Sequence, residues 1–115
     1  MRSAVEVLEA MVAMFASGDP VGAEDVVAAG YLDHQGLGGE PLIGLDGFIH
    51  VVRTNHAAHR EQTVSIEDVF GVDDRAMARL RWLATSVDGT EVDRQTIEIV
   101  RVADGKAVEH WGAHC

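Results

Sequence analysis

TIEIVRVADGKAVEHWGAH, residues 96–114, decides how the rest of the chain is read. Thr96–Val102 is β-branched and aliphatic, ADGK holds the Asp-Gly pair of a tight hairpin turn, and Ala107–His114 resumes an alternating pattern. A hairpin centred on Asp104-Gly105 sets Thr96, Glu98, Val100 and Val102 on one face and Ile97, Ile99 and Arg101 on the other. On the returning strand Val108, His110, Gly112 and His114 share a face, opposed to Glu109, Trp111 and Ala113. Same-face residues of paired strands are neighbours, so Glu98 falls close to His110 and Gly112. On a covered face a carboxylate beside an imidazole is an acid–base pair. On a solvated face it is an ordinary surface pair. Parity alone leaves both readings open, because Ile97, Ile99 and Trp111 also suit a core.

The same texture extends upstream. TVSIEDVF (63–70), AMARLRWLATS (76–86), EVDRQTIEIVRV (91–102) and AVEHWGAH (107–114) read as four antiparallel strands separated by GVDD, VDGT and ADGK. Before them the period changes to 3.6. Val5, Leu8, Met11, Val12 and Phe15 recur at helical spacing and predict a first helix ending at Ser17-Gly18. Asp19 suits an N-cap and Pro20 a first helical position, which predicts a second helix running to about Ala29 with Gly30 as its stop. YLDHQGLGGEPLIG (31–44) is glycine-rich and reads as loop. LDGFIHVVRTNHAAH (45–59) predicts a third helix, with Leu45, Phe48, Ile49, Val52 and His56 on one face and His50 and Arg53 on another. Three helices followed by four strands make an α+β domain, a curved sheet with helices on one face.

A chain of 115 residues is long enough for one core, so residues 1–115 read as one domain. Nineteen acidic side chains against nine basic ones give a net charge of −10, which repels phosphate backbones and anionic membrane surfaces. The single cysteine, Cys115, makes no internal disulfide, and a cytoplasmic location is expected. The opening MRSAVEVLEAMVAMFASGD is interrupted by Glu6 and Glu9 and reads as a helix of the mature protein rather than an export signal. No apolar run approaches the ~18 residues of a membrane span.

Four pieces of the chain together carry a resemblance: Y-x-D-H at 31–34, R-W at 81–82, the run of residues 97–106 into D-G-K, and V-E-H-W at 108–111. In this order they resemble the SnoaL-like polyketide cyclase family, within the nuclear-transport-factor-2-like fold that also holds ketosteroid isomerases and limonene epoxide hydrolases. The resemblance implies a cone, in which the sheet wraps around the helices and leaves an internal apolar pocket. It turns Glu98, His110, Gly112 and His114 toward that pocket, and Glu109 with Trp111 outward to a homodimer interface. It implies a small enzyme without cofactor or metal that moves protons on a hydrophobic, carbonyl-bearing molecule, by aldol-type cyclisation or isomerisation. The family often continues E-H-W into E-H-W-D; here Gly112 stands at the last position.

On this basis His110, Glu98 and His34 are the candidate catalytic residues, and Tyr31, Asp33, Arg81 and His114 the candidate substrate-binding ones. Asp33 is placed to orient His34 in a loop at the mouth of the cone, and Tyr31 to donate a hydrogen bond to a ligand carbonyl. Arg81 shares a strand face with Arg79 and stabilises an enolate oxygen if that face lines the pocket; otherwise both are surface pairs. His56 and His59 lie three apart on a helix without a third ligand, and read as complements to its C-terminal dipole. Two other functions stay open. One is an epoxide hydrolase in which Glu98 or Asp33 activates water. The other is a non-catalytic module that binds a small ligand or a partner.

Overall fold

The architecture follows from two amphipathic helices laid into the hollow of one sheet. The computed structural model describes residues 1–37 and 40–115. Helix α1 spans Ala4–Ser17 and opens on a capping box, in which Ser3 Oγ accepts the Glu6 N–H and Glu6 accepts the Ser3 N–H. Its buried stripe is Ala4, Val7, Leu8, Met11 and Val12. Helix α2 spans Gly44–Ala57 and buries Phe48, Val51 and Val52. Leu45 and Ile49 pack beside this core, whereas His56 is exposed and His59 belongs to the next strand.

Six strands form one sheet: β1 (Val27–Leu37), β2 (Glu40–Ile43), β3 (His59–Val72), β4 (Arg75–Ser86), β5 (Glu91–Ala103) and β6 (Lys106–His114). Their spatial order is β2-β1-β6-β5-β4-β3. The last four are the strands expected from the sequence, joined as consecutive hairpins. At the β5–β6 turn Asp104 and Gly105 both take positive φ, 52° and 74°, which is the type I′ geometry that the Asp-Gly pair favours.

The N-terminal third departs from expectation. Residues 20–29 do not form a second helix. Asp19 caps a turn, accepting the Val21 N–H at 2.9 Å, and a three-residue 3-10 turn at Ala23–Asp25 follows. The chain then enters β1, which includes the stretch Tyr31–Leu37 expected to be loop. The run VVAAG has no helical period that a strand would not also tolerate, and what decides it is distant. β1 lies parallel to β6, Val27 opposite Ala107 and Asp33 opposite His110, and antiparallel to β2. Residues 38 and 39 of the expected loop lie outside the described residues. Among the described residues, two α-helices and six strands, in place of three and four, keep the α+β class.

Alternation sorts the sheet into two faces. Ala76, Ala78, Leu80, Trp82, Thr96, Glu98 and Val100 are buried against the helices. The small side chains of Ala76 and Ala78 let α1 approach the sheet closely. Phe15, Phe48, Trp82 and Tyr31 meet edge to face, with centroids 5.8–6.0 Å apart. Phe70, Val72 and Leu83 stay exposed on the sheet. No helix among the described residues is long and apolar enough to cross a membrane.

Candidate active site

Between the two helices and the inner face lies a cavity of about 410 Å³, walled by Leu8, Met11, Phe15, Val51 and Leu80. Most of its charge is concentrated where β1, β6 and β5 run side by side. Parallel pairing sets Asp33 directly opposite His110, and antiparallel pairing sets Glu98 opposite Gly112. The His110 imidazole bridges the carboxylates, Nδ1 to Asp33 Oδ1 at 2.8 Å and Nε2 to Glu98 Oε2 at 2.6 Å. Asp33 and Glu98 are 5% and 7% exposed. Buried carboxylates need partners, and Asp33 Oδ1 also accepts the backbone N–H groups of Gln35 (3.0 Å) and Gly36 (3.2 Å).

Glu98 has room because residue 112 lacks a side chain. A Cβ on Gly112 would stand 2.6 Å from Glu98 Oε2 and 2.3 Å from Gln35 Oε1. The space that an aspartate at 112 would enter is therefore filled from the neighbouring strand and from β1. A carboxylate is retained near His110, one strand over.

The electrostatics follow from these contacts. Burial disfavours an imidazolium, but hydrogen bonds to Asp33 and Glu98 and their charges outweigh it, and the His110 pKa is pushed up to about 9. Burial would likewise raise Asp33, yet the His110 bond and charge and the two backbone N–H groups bring its pKa below the usual value. At neutral pH His110 is therefore charged and donates both N–H groups. Tyr31 is 1% exposed, and burial reinforced by the Asp33 and Glu98 charges drives its pKa far up. Its phenol stays a neutral donor in the cavity wall, without a hydrogen-bond partner among the described residues.

Asp33, Glu98, His110 and Tyr31 thus converge, and His114 lines the same cavity as an exposed residue opposite Thr96. Two expected positions are corrected. His34 is not in a pocket loop beside an orienting Asp33. It sits on strand β1, so it points away from Asp33, bonds Glu109 at 2.9 Å and stacks on Trp111 at 5.1 Å. Arg81 also faces out, its guanidinium forked onto Asp93 at 3.0–3.2 Å. Neither side chain lines the cavity. Gln35 and Arg94, which do line it, were not anticipated. Strand parity from Tyr31 and Asp33 would have found Gln35, and parity from Glu98 would have found Arg94.

Comparison with known proteins agrees with this fold. The sequence pattern described as SnoaL-like polyketide cyclase matches residues 5–114. No curated protein matches the sequence. Among solved structures, a candidate polyketide cyclase from Bacillus cereus ATCC 10987 superimposes with a TM-score of 0.84 at 25% identity, covering 96% of this chain and 72% of that one. A SnoaL-like polyketide cyclase from Agrobacterium tumefaciens str. C58 gives 0.83 at 16% identity, covering 100% and 93%. An NTF2-like protein of unknown function from Exiguobacterium sp. 255-15 gives 0.77 at 20% identity, covering 95% and 98%. The pattern match over nearly the whole chain, on this fold, makes the protein a member of the SnoaL-like polyketide cyclase family.

Proposed function

We propose that the protein is an enzyme acting by general acid–base proton transfer on a hydrophobic, carbonyl-bearing small molecule, through an aldol-type cyclisation or an isomerisation. The observation that carries this reading is the buried chain Asp33–His110–Glu98, which opens onto an apolar cavity. Glu98 commits Oε2 to His110, which leaves its other oxygen for a substrate in the cavity that Glu98 lines. That oxygen takes a proton from the carbon next to a carbonyl, and the proton then rests on the Glu98 carboxyl. Tyr31 donates a hydrogen bond to the enolate oxygen as charge develops there. The enolate carbon attacks a second carbonyl within the molecule, or is reprotonated elsewhere on its skeleton. His110, held charged by both carboxylates, keeps Glu98 oriented, and Glu98 returns the proton it took, to the new alkoxide oxygen after cyclisation or to a skeleton carbon after isomerisation. Asp33 fixes the imidazole and is the positioning member, since His110 and two backbone N–H groups occupy its Oδ1. The test is turnover of a panel of β-dicarbonyl and polyketide-like substrates by the wild type, Glu98→Gln and His110→Gln. Loss of about 100-fold or more in kcat for both variants is expected. Undiminished turnover, or a diol product carrying oxygen from labelled water, overturns the proposal.

The outer face supports a homodimer in the same spirit. Phe70, Met77, Ile99 and Trp111 stand opposite one another across four strands and form an unbroken apolar row. The charges around it are already paired within the face: Arg79 with Asp68, Arg81 with Asp93, Arg101 with Glu109. Such a face approaches a second copy without leaving an uncompensated charge, and Trp111 is a suitable anchor.

A further inference from the structure

The cavity is charged differently at its two ends. The acidic side chains that line it, Asp33 and Glu98, both belong to the His110 cluster. The one arginine that lines it among the described residues, Arg94, lies four residues from Glu98 along β5, about 13 Å of extended backbone. Arg94 is exposed, beyond Thr96 and its cross-strand partner His114.

Arg94 differs from the other arginines of β4 and β5. Arg79, Arg81 and Arg101 each hold a carboxylate at 2.7–3.0 Å on the outer face, and Arg75 stands 3.9 Å from Asp74. Arg94 holds no carboxylate among the described residues, in a chain with 19 acidic side chains against 9 basic ones. Its guanidinium carbon instead stands 5.3 Å from the centroid of Trp82. That ring is 6% exposed and is fixed by donating Nε1–H to Thr96 Oγ1 at 2.9 Å. The result is a cation resting on a rigid aromatic shelf, with its N–H groups unspent among the described residues. On the helix side of the same cavity, Asn55 accepts from Gln62 through Oδ1 at 2.7 Å, which leaves its own amide N–H groups to a ligand.

We propose that Arg94 binds an anionic group, of the carboxylate kind, on a ligand whose apolar body fills the cavity and whose other end reaches Glu98. The substrate class narrows accordingly: an organic acid of about bicyclic size, with its reacting carbonyl remote from its charge. This rests on the cavity being the substrate site, as proposed above, but not on any step of the chemistry there.

A matched pair of fluorescent probes tests it. Anilinonaphthalene sulfonate carries an anion on an aromatic body, and phenylnaphthylamine is the same body without it. The wild type is expected to bind the sulfonate more tightly than the neutral probe. Arg94→Gln weakens sulfonate binding about tenfold and leaves the neutral probe within about twofold, with Arg94→Lys in between. Arg81→Gln removes the same charge from the outer face and changes neither. Equal weakening of both probes, an equal effect of Arg81→Gln, or no preference for the sulfonate overturns the proposal. Because the readout is binding, its failure leaves the acid–base reading standing, and loss of the acid–base reading through Glu98→Gln leaves this result standing.

Discussion

Gly112 has no side chain, and that absence decides how Glu98 and Gln35 sit. An added Cβ would meet both side-chain ends at 2.3–2.6 Å, so they must swing aside. Gly112→Ala is expected to cost about 1–2 kcal/mol in chemical denaturation, and to lower kcat further by moving Glu98 off His110. The reciprocal change is informative. In a Glu98→Ala background, Gly112→Asp places a carboxylate on the same side of His110, and recovery of part of the lost turnover is expected. The charge state of His110 carries a pH signature. Its folded pKa, about 9, lies above the ordinary 6.5, so its stabilisation is complete below about pH 6.5 and is lost as pH rises through 9. That loss is on the order of 3 kcal/mol. Asp33 has the opposite sign: its lowered pKa stabilises above the ordinary carboxylate value and is lost only in stronger acid. A Tm profile should therefore fall between pH 7 and 10 in the wild type, and His110→Gln should flatten that limb.

At the scale of elements, local chemistry and distant pairing divide the work. The capping box of α1 is wholly local, with Ser3 and Glu6 three residues apart, and Ser3→Ala is expected to cost about 1 kcal/mol by thermal melting. The three hairpins are local as well, since their turns carry the residues that positive φ demands. β1 is different. Its Ala-Gly and Gln-Gly steps resemble helix stop and loop, and only the parallel partner β6 and the antiparallel partner β2 make them a strand. A loop over residues 31–44, as the glycines suggest, gives Asp33 and His34 no fixed direction. Once they lie on a strand, alternation separates them, Asp33 to the cavity and His34 to the outer face.

Across the whole molecule the sheet has a concave face covered by the helices and a convex face left open, and the proposed chemistry and the proposed association fall on opposite sides of it. The convex row of Phe70, Met77, Ile99 and Trp111 ends beside a polar cluster in which Arg75 lies 5.2 Å over Trp111 and Glu109 joins His34 to Arg101. Light scattering after size exclusion is expected to find a dimer, and Trp111→Glu to shift it to monomer with turnover per chain retained. A monomeric wild type at micromolar concentration would remove the dimer.

The sequence by itself determined the α+β class, the four-strand meander and the placing of Glu98 near His110, because periodicity and Asp-Gly turns act over a few residues. It also carried the family resemblance, through residues spread over the chain. Tertiary structure decided what depends on contact between distant segments. The β1–β6 pairing brings Asp33, 77 residues away in sequence, onto His110. Curvature of the sheet around two helices makes the inner face the covered one, which the alternation of the strands could not choose. The vacancy at Gly112 is readable in one dimension only as a missing carboxylate; in three it is the space that Glu98 and Gln35 occupy.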